Sequence, residues 1–242
     1  MTAAADLVEL APAGRLRAAL VKIPFLVTQD VASGALAGVA YDLAEALAQK
    51  LGVPFAPQAF DTPNAGIAAL RDGAADVTFL APTPERVALI DFGPAFMAME
   101  TTLIVPASSP IQTLADADQP GRKIVAYERT AVEEILRKNI RHATLVPVPI
   151  FGHQQGFDLL RSGAADALAD LRHALTLYQP DLPGSRIIAG SYVTNALAIG
   201  YPKGRPATSE FVRDFTLAAR ASGLVARSIT RAGVVGAVVP AA

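Results

Sequence analysis

Residues 70–96 read LRDGAADVTFLAPTPERVALIDFGPAF, and their punctuation decides the fold class. Gly73 and Pro82 bound a short, mostly apolar run, Ala75-Asp76-Val77-Thr78-Phe79-Leu80, which is how a buried strand of an α/β sheet reads. The strand should end near Leu80. Thr83-Pro84-Glu85 then opens a helix: Thr83 is the N-cap, Pro84 takes the first helical position, and Glu85 complements the helix dipole. Arg86 falls in the first turn, where a cation opposes the partial positive charge of the terminus and gains nothing locally. Its planar fork, beside free backbone N–H groups, suits a carboxylate or phosphate held from outside. The alternative is a surface arginine paired with Glu85 or Asp91.

Upstream, residues 16–21 form a first strand, and Lys22-Ile23-Pro24-Phe25 leaves it through a proline-fixed loop. Residues 39–51 make the clearest helix. Leu43, Leu47 and Leu51 recur every four residues with Ala40, Ala44 and Ala48 beside them, and Gly52 stops the run. A second strand over 54–60 and a short helix ending at 67–71 complete a β-α-β-α-β order, which argues for a parallel sheet covered by helices. In such sheets ligands bind beyond the carboxyl ends of the strands. Arg86 sits just beyond one.

Downstream the chain echoes itself. Leu70-Arg-Asp-Gly-Ala-Ala-Asp76 recurs as Leu160-Arg-Ser-Gly-Ala-Ala-Asp166, the same helix end, glycine stop and strand start. An alanine-rich chain can echo by chance; otherwise the repeat means two lobes of similar build, each with its own sheet. After the β-branched run 101–105, residues 106–110 (PASSP) have the composition of a crossover loop. Residues 121–127 open a new strand, and Thr130-Ala-Val-Glu133 is a capping-box pattern for a helix through Ile135, Leu136 and Ile140, so Thr130 is either a plain cap or a ligand contact. Strands over 145–149 and 166–170 flank a helix at 156–161. Asp170 ends the echoing strand, where it either caps the helix 171–178 or faces a ligand. A strand over 196–200 precedes a helix whose face is Phe211, Phe215, Leu217 and Ala218. Linkers near 105 and 200 give a discontinuous lobe 1 (1–105 and 200–242) and a lobe 2 (106–199).

Composition narrows the function classes. The 242 residues are 52% hydrophobic, ample for a core, and 21 basic against 22 acidic residues leave a net charge of −1. No field pulls such a chain toward nucleic acid or an anionic membrane. The absence of Cys excludes disulfides and thiolate chemistry. The N-terminus carries Asp6 and Glu9 and no basic, then apolar, leader pattern, and no apolar run approaches the ~18 residues that span a bilayer. His142, His153 and His173 lack metal-ligand spacing, there is no Gly-x-Ser-x-Gly, and Gly152-His-Gln-Gln-Gly156 is no phosphate loop.

Taken together, Gly38-Val-Ala-Tyr-Asp42-Leu43-Ala44, the strand of Asp76, Thr83-Pro84-Glu85-Arg86 with Ile90-Asp-Phe-Gly-Pro94, Gly121-Arg-Lys-Ile-Val, and Gly163-Ala-Ala-Asp166-Ala with Asp170 resemble, in order, family 3 extracellular solute-binding proteins over roughly residues 14–232. These are the polar-amino-acid-binding components of ABC importers. The resemblance implies an α/β, type II periplasmic binding protein fold: two lobes, each a mostly parallel sheet flanked by helices, joined by two crossover hinge strands and closing over a ligand. It makes Arg86 the clamp for a ligand α-carboxylate and Asp170 the partner of its α-ammonium. Thr83 and the backbone of Leu80 and Ala81 would assist in lobe 1, and Thr130 in lobe 2. A desolvated zwitterion needs such a counter-charge on each side.

The chain departs from the pattern. The interval between Asp76 and Arg86 is shorter than in typical members, Arg129 stands where glycine is general, and Ala131 replaces a common hydroxyl. Phe25, Phe60 and Tyr127 are candidates for the aromatic platform over the ligand, and Asn64 is a further ligand-binding candidate. A dicarboxylate or another small organic anion is therefore open beside an amino acid. The expected partners are that solute and an ABC transporter permease, with no cofactor, metal or nucleic acid, in a monomer. The family implies a periplasmic location; without a leader the chain is a trimmed mature form or cytoplasmic. Relatives similar to cyclohexadienyl dehydratase suggest the alternative of an enzyme with Glu128 or Asp170 as general acid, and a sensor read by a protein partner is a third.

Overall fold

The computed structural model describes residues 9–128, 130–149 and 153–241, apart from the side chain of Thr194. In chain order the elements begin β1 (Leu16–Val21), β2 (Thr28–Gln29), β3 (Leu36–Ala37), α1 (Val39–Leu51), β4 (Phe55–Phe60), α2 (Pro63–Arg71), β5 (Val77–Leu80) and α3 (Pro84–Leu89). A long β6 (Asp91–Val105) leads to α4 (Leu114–Ala117), β7 (Lys123–Tyr127), α5 (Ala131–Asn139), β8 (Thr144–Val148), α6 (Gln154–Arg161), β9 (Ala167–Leu171) and α7 (Arg172–Tyr178). The chain ends through β10 (Arg186–Ile187), β11 (Val193–Tyr201), α8 (Pro206–Ala221), α9 (Leu224–Arg231) and β12 (Ala237–Val238).

Two compact units result. The first comprises residues 1–98, 196–234 and 238–242, the second 99–195 and 235–237. The chain passes between them within β6 and within β11, so residues 106–110 form a loop inside the second unit. In the first unit, β1 pairs in parallel with both β4 and β5, and β11 joins β5 antiparallel. In the second, β7 pairs in parallel with both β8 and β9, and β6 joins β9 antiparallel. The same order is built twice.

The echoed segment explains why. In each unit it ends a helix, turns at a glycine with φ near +70° and enters the third parallel strand. Asp76, 1% exposed, accepts the Arg17 N–H at 2.8 Å and pairs with the Arg17 guanidinium at 2.7 Å. Asp166 does the equivalent, taking the Lys123 N–H at 2.8 Å and Arg122 at 2.7 Å. Each carboxylate thus ties the start of the third strand to the start of the first, in a geometry where charged hydrogen bonds offset the cost of burial.

Helix packing follows the apolar spacing in α1, where Leu43, Leu47 and Leu51 and the alanines beside them are buried and Gly52 adopts the left-handed C-terminal conformation. In α8 the spacing misleads. Leu217 and Ala218 are exposed, and the buried face is Thr208, Val212, Phe215, Thr216 and Ala219. Of the two buried threonines, Thr216 satisfies itself, its hydroxyl donating to the Val212 carbonyl at 2.7 Å, whereas the Thr208 N–H donates to Glu9 and its buried hydroxyl has no partner among the described residues.

Candidate functional site

In both units the candidate residues lie at or just past the carboxyl ends of the parallel strands. In the first, Phe25 follows β1, Asn64 lies in the first turn of α2 after β4, and Ala81, Thr83 and Arg86 follow β5. Leu80 is buried and hydrogen-bonded into the sheet opposite Ala198 of β11. The Ala81 carbonyl accepts both the Thr83 N–H at 3.0 Å and Arg86 Nη1 at 3.0 Å. The second of these hydrogen bonds ties the arginine side chain back to the end of β5.

Arg86 is half-buried, and no carboxylate of the described residues lies within 4 Å of its guanidinium. The pairing with Glu85 or Asp91 allowed by the sequence is not made. Asp91 faces Lys203 at 3.7 Å and accepts the Gly204 N–H. Glu85 is drawn to its own N–H and to the Thr83 hydroxyl, which hold its carboxyl below the usual range. Consequently the Thr83 hydroxyl does not cap α3. Burial lowers the Arg86 pKa, and nearby Glu85 only partly opposes it. A cation that is partly desolvated and held by a single carbonyl retains most of its donor capacity.

Asn64 is exposed. Phe25 is half-buried in the wall of a separate cavity of about 350 Å³ formed with Tyr41, Asp42 and Arg231, which contains none of the other candidates. Asp42 there holds Ser228 and, at 2.7 Å, Arg231.

In the second unit Tyr127 ends β7, Thr130 precedes α5 and Asp170 stands near the end of β9. Arg129 lies outside the described residues. The Thr130 hydroxyl donates to the Tyr127 carbonyl at 2.7 Å and accepts the Glu133 N–H at 3.2 Å. Its proton is committed, so it has only an acceptor left for a ligand. The Glu133 carboxylate holds Arg137 at 2.7 Å.

Asp170 is not the cap of α7, which begins one residue later than the spacing suggested, with Leu171 at the N-cap position. One carboxylate oxygen accepts the Leu171 N–H at 2.7 Å, and no cation of the described residues pairs with it. Burial pushes Asp170 up to about 6, against the lowering effect of the Leu171 N–H. Arg172, two residues on, is committed elsewhere, to Glu100 at 2.5 Å and to the carbonyls of Ile188 and Gly190. Tyr127 is 7% exposed, and its hydroxyl has no partner among the described residues.

Sequence reading missed Gly156, although a lone glycine in an amphipathic helix is itself a signal. A Cβ there would fall 2.0 Å from Leu168 Cδ1 and 3.2 Å from the Tyr127 hydroxyl. Gly156 lets α6 approach the strand ends. We expect Gly156→Ala to destabilise the protein by about 1–3 kcal/mol through overpacking, seen as a lower midpoint in urea unfolding with an unchanged slope.

Two α/β units, each a mostly parallel sheet flanked by helices, and linked by two strands, define the type II periplasmic binding protein fold. The chain belongs to the bacterial extracellular solute-binding proteins, family 3, whose model matches residues 22–231. Among solved structures it is similar to the second substrate-binding domain of a putative amino acid ABC transporter from Streptococcus pneumoniae, with 21% identity, a TM-score of 0.72 and 91% and 99% of the two chains covered. It is also similar to an ancestral cationic amino acid solute-binding protein (22%, TM-score 0.70, 94% and 98% covered) and to an ancestral cyclohexadienyl dehydratase (20%, TM-score 0.64, 93% and 95% covered). A search of curated proteins finds no match. No helix of the described residues is long and apolar enough to cross a membrane.

Proposed function

We propose that this solute-binding protein takes an amino acid or closely related small zwitterion and delivers it to an ABC importer. Arg86 receives the carboxylate and Asp170 the ammonium. The observation that carries the reading is the pair of charges uncompensated among the described residues: a half-buried guanidinium with no carboxylate partner and a half-buried carboxyl with no cation partner, each at or just past the carboxyl end of a parallel strand. Charges held this way are costly alone and are neutralised by a ligand that brings the opposite sign to each. Thr130, with only acceptor capacity left, suits the ammonium side. Binding would favour a closed state over an open one, which a permease then reads.

Because Asp170 must be ionised to receive an ammonium, affinity should be constant above its pKa, near 6, and fall about tenfold per unit below it. The ammonium of an amino acid stays charged throughout that window. A calorimetric pH series from 4.5 to 8 checks this; a flat profile contradicts the role of Asp170.

One observation favours a second reading. A carboxyl titrating near 6 is also suited to general acid catalysis, as in a dehydratase. A thermal-shift screen against amino acids, dicarboxylates and aromatic acids separates the cases, since a ligand of the native state raises its melting temperature. Stabilisation by amino acids that emerge chemically unchanged supports the binder. Turnover of the hit during incubation supports the enzyme, and a silent screen removes both.

A further inference from the structure

Besides its passages within β6 and β11, the chain crosses between the units once more. Residues 196–234 belong to the first unit, 235–237 to the second and 238–242 to the first again. Past α9, then, a short excursion enters the second unit and returns.

Its seat there is specific. The Val235 N–H donates to His173 Nδ1 at 3.3 Å, the Gly236 carbonyl accepts the Glu100 N–H at 3.1 Å, and β12 pairs with β6. Gly236 has a φ of +73°, and a Cβ on it would fall 2.6 Å from Arg172 Cβ. Both the left-handed turn and the close approach call for glycine. Arg172 cannot easily give way, because its guanidinium is tied to Glu100 and to the carbonyls of Ile188 and Gly190. Glu100 thus acts twice: its carboxylate fixes the residue on which Gly236 packs, and its N–H holds the Gly236 carbonyl.

The excursion is also fastened on the first unit at both ends. Before it, Val234 is 7% exposed and its N–H donates to the Ile229 carbonyl at 3.1 Å. After it, the Ala241 carbonyl accepts Arg220 Nη2. An extended chain reaches at most about 3.5 Å per residue, so a connection this short and anchored on each side has little slack. Glu100 itself lies just past the point where β6 enters the second unit, which begins at Met99. The seat therefore adjoins a segment through which any movement of one unit against the other must pass.

We propose that residues 235–237 are a strap, a third connection that restrains the movement of one unit against the other, with Gly236 as its fastening point. The strap is independent of the solute, so it is tested without ligand. The chain has no cysteine; Lys50→Cys on α1 and Lys138→Cys on α5, both at exposed positions, place one spin label in each unit. The distribution of distances between the labels is read by pulsed electron double resonance. Gly236→Pro unseats the strap because the ring fixes φ near about −65°, and Gly236→Ala does so through the clash with Arg172. In both, the distribution should roughly double in width. The Glu100 amide, having lost its acceptor, should exchange with solvent about tenfold faster. Gly233→Ala serves as the control: its φ is +64°, but no atom lies within 4 Å of the added Cβ, so it carries the backbone penalty without the clash and should leave the width unchanged. A Gly236 variant whose Glu100 amide has lost protection while the width stays the same overturns the proposal. So does protection retained in both variants, or equal broadening in Gly233→Ala.

Discussion

Replacing Arg86 by alanine should abolish ligand binding, weakening it about 10²–10³-fold, while leaving the melting temperature within a couple of degrees of the parent protein. The two halves of that expectation come from the same geometry. Among the described residues the guanidinium makes one hydrogen bond, to the Ala81 carbonyl, and no ion pair. Its burial is a cost that removal relieves. Little stability is lost with it. In the complex, by contrast, truncation would leave a ligand carboxylate desolvated and unpaired, and losing one partner of a buried charge pair costs about 2–5 kcal/mol. Calorimetric titration beside a thermal melt checks both. A folded Arg86→Ala protein that keeps its affinity removes Arg86 from the site.

Asp170→Asn should have the unusual outcome of a more stable protein that does not bind. The native carboxyl titrates near 6 against an ordinary 3.8, so between those values the folded state binds more protons than the unfolded one, and stability from this group falls as pH rises. The penalty is absent below the ordinary value and complete above about pH 6, where it reaches up to about 3 kcal/mol. Asparagine keeps the shape and an acceptor for the Leu171 N–H without the charge. At pH 7 the variant should melt several degrees higher, and at pH 3.5 the difference should vanish. Binding of an amino acid should fall by two orders of magnitude or more, because the ammonium loses its counter-charge. Equal melting temperatures at pH 7 would mean that the Asp170 charge is not held at a cost.

How much of this was legible beforehand varies from residue to residue. The strands of both units were readable because apolar runs bounded by glycine leave few alternatives, and the echo of 70–76 at 160–166 marked the repeated turn. Its meaning was not readable: Asp76 and Asp166 are ion-paired to Arg17 and Arg122, partners brought close only by parallel pairing. Local spacing placed Arg86 past a strand end, yet whether Glu85 or Asp91 would neutralise it depended on Thr83 and Lys203 competing for those carboxylates. Leu217 was misassigned because the buried face of α8 runs through Thr208, Val212, Phe215, Thr216 and Ala219, with Thr216 able to bury by donating to the Val212 carbonyl. Phe25 has the right position in sequence but lines a cavity apart from the other candidates, since a proline-fixed loop turns it toward Tyr41 and Arg231.

The most direct test of the account compares an amino acid that binds with its des-amino analogue, titrated calorimetrically into the parent protein and Asp170→Asn. Removing the ligand ammonium should cost the parent protein two orders of magnitude in affinity and cost Asp170→Asn almost nothing, because the two groups are proposed to act on each other. Equal losses in both proteins would show that the ammonium is recognised elsewhere and would contradict the assignment of Asp170.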